Sequence, residues 1–249
     1  MEKKCPVSAL KSALSRFAGS CMKNKLSVSL IALAAIAITA AAIKVRQNPL
    51  TVLPLYVSLT VGMLSAGANR YANVIGAANC ILYTVVNIYF HLYAQALSAL
   101  LISCPFQIVI FLRWNKNAYK SSTRFRRLRL WQIFAILGAS AVAFALISLA
   151  LGASDSSYPV LDNAMSVVGT LSMILSVLCF REYAWVQLAV GVLSLALDAV
   201  MIADNPARIA FLIYSIYSMI CIIRQFFAVR RLWREQQAEN IPTAEPICG

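Results

Sequence analysis

The sequence predicts an all-helical integral membrane protein with about eight transmembrane helices. Of its 249 residues, 61% are hydrophobic and 12% are charged, and the mean hydropathy is +0.75. Long apolar stretches fill most of the chain, and each approaches or exceeds the ~20 residues that a helix needs to cross a bilayer. The predicted spans are residues 26–43, 49–68, 73–90, 92–112, 130–152, 159–180, 183–202 and 207–229.

The positive charges fall almost entirely into alternate gaps between these spans. With the N-terminus placed in the cytoplasm, 19 of the 22 Lys and Arg residues lie on the inner side. Because basic loops are retained in the cytoplasm, this asymmetry predicts a multi-pass protein of the cell (inner) membrane with both termini inside. Topology and anionic headgroups then account for the net charge of +13, so we expect the lipid bilayer as a partner and no nucleic acid.

The first apolar stretch allows two interpretations. Residues 1–25 form a basic cytoplasmic tail, and residues 26–43 form an extra N-terminal transmembrane helix. A basic leader, an apolar segment and then Ala40-Ala41-Ala42 are also typical of a signal peptide with a small-residue cleavage site. The leader is long for a signal peptide, so we expect a retained helix. Both outcomes leave the following seven spans in the same orientation.

The remaining spans divide into two triplets. We expect a first three-helix bundle over 49–114, a basic cytoplasmic loop over 115–129, a linker helix over 130–152, a second three-helix bundle over 159–229 and a cytoplasmic tail over 230–249. With alternating crossings, the single linker helix makes the triplets parallel, an arrangement of transporters that hold a solute between two repeats. The middle helices also begin alike, with Arg70-Tyr71-Ala72 and Arg181-Glu182-Tyr183-Ala184.

Four spans carry polar or small side chains at i, i+3 or i+4 spacing, which places them on one helix face. Unpartnered polar groups are costly in lipid, so these faces are expected to turn inward. The stripes are Gly76, Asn79, Tyr83 and Asn87; Gln95, Ala99, Ser103 and Gln107; Asp162, Ser166, Thr170 and Met173; and Tyr183, Gln187, Gly191, Ser194 and Asp198. They either hold helices together or line a polar path, and both interpretations stay open.

Several function classes are disfavoured by what the spans lack. No Asp, Glu, Lys or Arg lies near the middle of a span, which favours facilitated diffusion over proton-coupled pumping. A sodium site made of carbonyl and hydroxyl groups stays open. No nucleotide-binding or hydrolase motif occurs, and no cysteine pair has C-x-x-C spacing. We therefore expect no enzyme, no cofactor and no metal site, and a non-transporting membrane scaffold protein stays an alternative.

The chain resembles the nicotinamide riboside transporter (PnuC) family of bacterial vitamin transporters over about residues 58–233. The best segment is Leu92-Tyr93, then Pro105-Phe106-Gln107, then Trp114. Family members have Leu-Tyr-Gly-Glu, Pro-Met-Gln and Trp at the same separations. Residues 70–76 and Ile81-Leu82-Tyr83 fit the pattern of the family's second helix. The chain is identified as a divergent member.

The resemblance implies two parallel three-helix bundles joined by a linker helix, as in the SWEET sugar transporters, plus the extra N-terminal helix. It also implies facilitated uptake of nicotinamide riboside or a related B vitamin, with a cytoplasmic kinase trapping the product by phosphorylation. Gln107 matches a polar position of the family, and Glu182 matches an acidic one. Where members have two Trp and then Asn or Asp, this chain has Ala184, Gln187 and Gly191, and Trp185 is displaced by one residue.

Six side chains are expected to bind the substrate. Amides would form hydrogen bonds to it, and aromatic rings would stack on its ring. The amides are Asn79, Gln107 and Gln187, and the rings are Tyr83, Trp185 and Tyr214. Because Ala184 and Gln187 stand where the family has Trp rings, a small neutral solute such as a sugar is the alternative substrate. Assembly into a homo-oligomer is left open.

Overall fold

The computed structural model describes residues 25–151 and 158–239, which are almost entirely helical. The long helices are α1 Lys25–Lys44, α2 Pro49–Ala66, α3 Ala72–Tyr89, α4 Tyr93–Lys116, α5 Leu130–Leu151, α6 Pro159–Val177, α7 Tyr183–Asp204 and α8 Ile209–Glu239. Helices α2 to α8 are each long and apolar enough to cross a membrane. Short pieces are β1 Ala118–Tyr119, β2 Ser122–Thr123 and a 3-10 turn at Pro206–Arg208. The expected all-α membrane fold is confirmed.

The helix ends differ most from expectation at the end of the described chain. The last span was expected to end at 229, where the hydropathy of the sequence falls. Helix α8 continues ten residues further, because the residues that follow are good helix formers. Its extension is held by the basic loop: Lys120 Nζ donates to Glu235 Oε2 at 2.7 Å, which raises the pKa of Lys120. Of the expected tails at 1–25 and 230–249, residues 1–24 and 240–249 lie outside the described part of the chain.

Six of these helices pack into a closed ring. Helix α2 contacts α3, α3 contacts α4, α4 contacts α6, α6 contacts α7, α7 contacts α8, and α8 contacts α2 again. Helix α1 lies against α2 and α8, and the main contact of α5 is with α6. The first helix and the predicted linker helix therefore lie outside the ring, and the ring axis is free to hold polar side chains.

The basic loop between α4 and α5 ties one end of the ring together, and we call this end the basic end. Three backbone N–H groups donate the bonds: Arg70 to Ser121 O at 3.2 Å, Arg126 to Cys179 O at 2.8 Å and Phe125 to Gln236 Oε1 at 3.0 Å. Thus α2 and α6 both end, and α3 and α7 both begin, beside one loop. Parallel triplets would give this order, and the 3+1+3 organisation itself stays a prediction.

The turns that end α2 and α6 share an unusual backbone geometry. Ala68 and Cys179 have left-handed φ values of 50° and 58°. In both turns the next N–H, of Asn69 or Phe180, bonds back to the carbonyl five residues earlier, a helix-ending motif that usually employs glycine. A residue with a Cβ costs roughly 1 kcal/mol there. The turns that end α1 and α3, at Arg46 and His91, have the same geometry, so it is a common helix ending in this chain and does not by itself mark a duplication.

Asp162 joins α6 to the start of α4 at the opposite end of the ring. Its side chain is fully buried, and Oδ2 and Oδ1 accept hydrogen bonds from the N–H groups of Ala94 and Gln95, both at 3.1 Å. Leu92, which precedes α4, offers no side-chain acceptor. The carboxylate also complements the positive end of the helix dipole. Asp162 thus caps α4 from a neighbouring helix instead of lining a polar path.

Replacing Asp162 with Ala should destabilise the protein, because two N–H groups of α4 lose their acceptor in a buried place. We expect the free energy of unfolding to fall by about 1–3 kcal/mol, measured as a lower thermal midpoint of the purified protein in detergent. The matched control is Asp204→Ala, which removes an exposed carboxylate bonded only to Tyr158 among the side chains described. Equal midpoints for the two variants would contradict the capping role.

Candidate functional site

A central cavity of about 320 Å³ lies inside the ring and is lined by α3, α4, α6, α7 and α8. All four stripe residues of α4 and four of the five on α7 face it. From α4 these are Gln95, Ala99, Ser103 and Gln107, and from α7 they are Gln187, Gly191, Ser194 and Asp198. The inward orientation expected for these two faces is confirmed. Such a volume lies within the usual range for small-molecule sites.

A second cavity of about 200 Å³ lies on the side of the basic end. Gln107, Met173 and Gln187 line both cavities, so these three side chains stand at the junction between them. Trp114 and Tyr183 line the second cavity. Their rings pack edge to face at 5.9 Å, and the indole N–H of Trp114 donates to Ser176 O at 2.9 Å. This aromatic contact forms part of the wall of the second cavity.

A π-helical turn in α4 aligns its stripe with the cavity. The turn covers Ala99–Ser103, and the N–H of Cys104 bonds to Ala99 O. Pro105 follows directly and has no N–H to complete an α-helical bond, which explains why the helix widens there. Three steps of four residues drift by roughly 120° in a regular α-helix, and the extra residue of a π turn removes roughly 100° of that drift. Gln95 and Gln107 can therefore share one face.

The two junction glutamines are held by neighbouring helices. Gln107 Nε2 donates to Cys80 Sγ at 3.2 Å, and a Cβ added to Gly76 would overlap the Gln107 carboxamide oxygen. Gln187 Oε1 accepts from Ser172 Oγ at 2.6 Å. Within the described residues, Gln107 Oε1 and Gln187 Nε2 have no further partner, so an acceptor and a donor remain for a solute.

A buried ion pair lies at the other end of the central cavity. Asp198 and Arg208 are each 4% exposed, with 2.5 Å between Oδ1 and the guanidinium, and Ser215 Oγ donates to Asp198 Oδ2. The guanidinium also lies 4.7 Å from the Phe90 ring and 4.4 Å from the Phe211 ring. Sequence reasoning placed Asp198 in a stripe but missed Arg208. The sequence did hold one indication of this pair: a carboxylate within a membrane span, such as Asp198, requires a nearby cation.

The six expected substrate-binding residues separate into two groups. Tyr83, Gln107, Gln187 and Tyr214 all line the central cavity. Asn79 instead faces α2, where its amide donates to Ser58 Oγ at 2.6 Å. Trp185 is 61% exposed on the outside of the ring and packs edge to face on Phe226 at 4.5 Å. Its displacement by one residue turns it by roughly 100° from the family position.

No metal centre is evident in the described part of the chain. Within it, no group of three or more His, Cys, Asp or Glu side chains converges on one point. The four described cysteines are all free. The site therefore offers amides, hydroxyls, aromatic rings and one neutralised ion pair, which suits reversible binding of a polar solute.

Known proteins share this fold. The family model "Nicotinamide mononucleotide transporter" matches residues 48–233. The nicotinamide riboside transporter PnuC of Neisseria mucosa is 27% identical over 169 residues, which cover 62% of this chain and 64% of that relative, slightly less than two thirds of its length. A crystal structure of the vitamin B3 transporter PnuC aligns with a TM-score of 0.73 at 18% identity, covering 85% of this chain and 93% of the other. These relatives are transporters and not enzymes.

Gly76→Ala should displace the Gln107 side chain and expose Cys80, because the added methyl group would occupy the space of the carboxamide. We expect several-fold faster modification of Cys80 by a small thiol reagent, followed by peptide mass spectrometry of the purified protein. Gly138→Ala is the control, since a Cβ there meets nothing within 4 Å. An unchanged Cys80 rate in the Gly76 variant would show that Gln107 does not depend on this glycine.

Proposed function

The chain belongs to the nicotinamide mononucleotide transporter family, and on that premise we propose that it carries nicotinamide riboside or a related B vitamin across the membrane by facilitated diffusion. The observation that supports this most is the central cavity, which collects polar side chains from five helices of the ring. A pure packing role would leave such groups bonded to each other, whereas Gln107 Oε1 and Gln187 Nε2 each lack a hydrogen-bond partner among the described residues.

The charge of the lining favours a nucleoside over a nucleotide. The described lining of the central cavity holds one anion and one cation, Asp198 and Arg208, and these neutralise each other. A phosphate monoester carries about −1.5 to −2 charges at pH 7 and needs cationic partners in a low-dielectric site. Among residues 25–151 and 158–239, no further cation lines either cavity. Nicotinamide riboside has no phosphate and carries a cationic ring, which suits aromatic and carboxylate neighbours.

Different side chains of the central cavity would recognise different parts of the riboside. The carboxamide and ribose hydroxyls of the riboside would bond to Gln107 and Gln187 at the junction. Tyr83 and Tyr214, which line the same cavity, would face the pyridinium ring, with each such contact worth about 0.5–2 kcal/mol. Several small terms give modest affinity, which suits a transporter because release is as necessary as capture.

Net uptake would follow from trapping rather than from ion coupling. The ionisable groups of the cavity form a closed pair at one end, and the junction is lined by amides and a thioether. A cytoplasmic kinase that phosphorylates the riboside would maintain the inward gradient, with the basic end on the cytoplasmic side. A small neutral solute such as a sugar is the second candidate, favoured by the position of Trp185 outside the ring.

Uptake into vesicles that contain only the purified protein tests the substrate. We expect saturable entry of radiolabelled nicotinamide riboside without any ion gradient, and we expect nicotinamide mononucleotide to compete poorly because the path lacks a free cation. Thiamine, riboflavin and glucose serve as further competitors. Riboside exclusion together with saturable glucose flux would transfer the assignment to the sugar candidate. No flux of any solute would contradict transport.

Gln107→Leu and Gln187→Leu should each lower riboside uptake about tenfold, because a lost hydrogen bond that leaves a polar partner unpaired costs ~1–3 kcal/mol. Protein abundance should change little, since both side chains border cavities. Gln132→Leu is the matched control on α5, where the amide accepts only from Arg129 N among the bonds described. Native uptake in both cavity variants would exclude the glutamines from recognition.

A further inference from the structure

A pocket of about 350 Å³ lies outside the ring at the basic end, between the start of α7 and the last part of α8. Three arginines and three aromatic side chains dominate its lining: Arg181, Arg230 and Arg234 with Trp185, Phe226 and Trp233. None of these residues contributes to the central cavity or to the second cavity. The pocket is therefore a separate site from the path proposed for the riboside.

We propose that this pocket binds the phosphodiester headgroup of an anionic phospholipid. The first argument is charge. Arg181 pairs with Glu182 at 3.1 Å, whereas in the described part of the chain Arg230 and Arg234 form no salt bridge. The described lining of the pocket contains no Asp or Glu. Unneutralised guanidinium groups at one opening favour a ligand with negative charge.

The second argument is preorganisation. The guanidinium carbon of Arg181 lies 5.0 Å from the Trp233 ring, and that of Arg230 lies 5.4 Å from the Phe226 ring. Stacking on an aromatic face fixes the plane of a guanidinium while leaving its N–H edge free. That edge matches the paired oxygens of a phosphate. The rings thus hold two of the three cations in binding geometry before a ligand arrives.

The third argument is depth in the membrane, which selects a lipid over a free anion. Trp185, which lines the pocket, and Phe227, whose ring lies 5.6 Å from that of the lining residue Phe226, are each 61% exposed. Trp185 lies within the first turn of α7, where a membrane span begins, and exposed tryptophans concentrate at the headgroup level. Basic pockets between membrane helices at this depth bind anionic headgroups. Acyl chains would lie against the same exposed apolar surface.

A different group of arginines shows the contrast. Arg113, Arg124 and Arg126 line a cavity of about 210 Å³ formed by the basic loop and by the ends of α4 and α6. Its only aromatic lining residue is Phe125, which is buried. Leu178 is the one exposed apolar side chain in that described lining, and no exposed aromatic ring stacks on its arginines there, so a lipid is not expected.

Native mass spectrometry of the purified full-length protein tests the proposal with phosphatidylglycerol and phosphatidylcholine as probes. We expect phosphatidylglycerol to bind roughly tenfold more tightly. The double variant Arg230→Gln/Arg234→Gln should abolish that preference. Arg231→Gln removes one positive charge from the neighbouring position, whose side chain is 76% exposed and faces Glu235, and should keep the preference, whereas Arg230→Gln alone should already weaken it.

Three results would overturn the proposal. An unchanged preference in the double variant would place the lipid elsewhere, and an equal loss in Arg231→Gln would reduce the effect to general surface charge. Inorganic phosphate serves as the third probe. Suppose that the native protein binds phosphate, that the double variant does not, and that the two lipids bind with equal affinity. The pocket then binds a free anion instead of a lipid headgroup. Size-exclusion profiles of all variants should match, because the altered side chains are exposed.

Discussion

Polar side chains inside a bilayer must bond to each other or face water, and this chain meets that constraint by closing six helices around an axis. Some polar groups are used up between helices: Asn79 bonds to α2, and Asp162 caps α4. Others remain on the axis because nothing in the ring satisfies them fully, as with Gln107 and Gln187. The central cavity is therefore lined by polar groups that helix packing leaves without full hydrogen bonding, and these groups determine which solutes it can bind.

Helix α4 contacts the second triplet at both of its ends. It belongs to the first triplet in sequence, yet its first turn is capped by Asp162 of α6 and its last turn is bonded through Trp114 to Ser176 of α6. Between these points the π turn directs its stripe onto the axis, and Gly76 provides the space for Gln107. A shift between the triplets would move this stripe relative to Gln187, so α4 couples helix packing to the shape of the junction.

The sequence predicted the membrane helices and two of the lining faces well, because hydropathy and helical spacing are local signals. It could not predict which neighbour a face would meet. Asn79 and Tyr83 share a stripe on α3, but only Tyr83 reaches the cavity, since the ring turns the Asn79 side toward α2. Arg208 was missed because it lies in a short connection, and its burial depends on Phe90 and Phe211 from other helices. Trp185 lies on the outside of the ring because it is displaced by one residue from the position of the family's Trp.

The two ends of the joined cavities are bordered by different contacts. At the basic end, backbone hydrogen bonds of the loop and the Trp114–Tyr183 contact join elements from both triplets. At the opposite end, the central cavity is lined by the Asp198–Arg208 pair, whose guanidinium contacts two phenyl rings. Separating a buried ion pair is costly unless another group replaces a partner, whereas aromatic contacts exchange for a solute ring at little cost. A cationic ring entering from the opposite end could take the place of Arg208 beside Asp198. The ion pair would then open more readily for the proposed riboside than for a neutral sugar, which links the charge of the solute to the end at which the path opens.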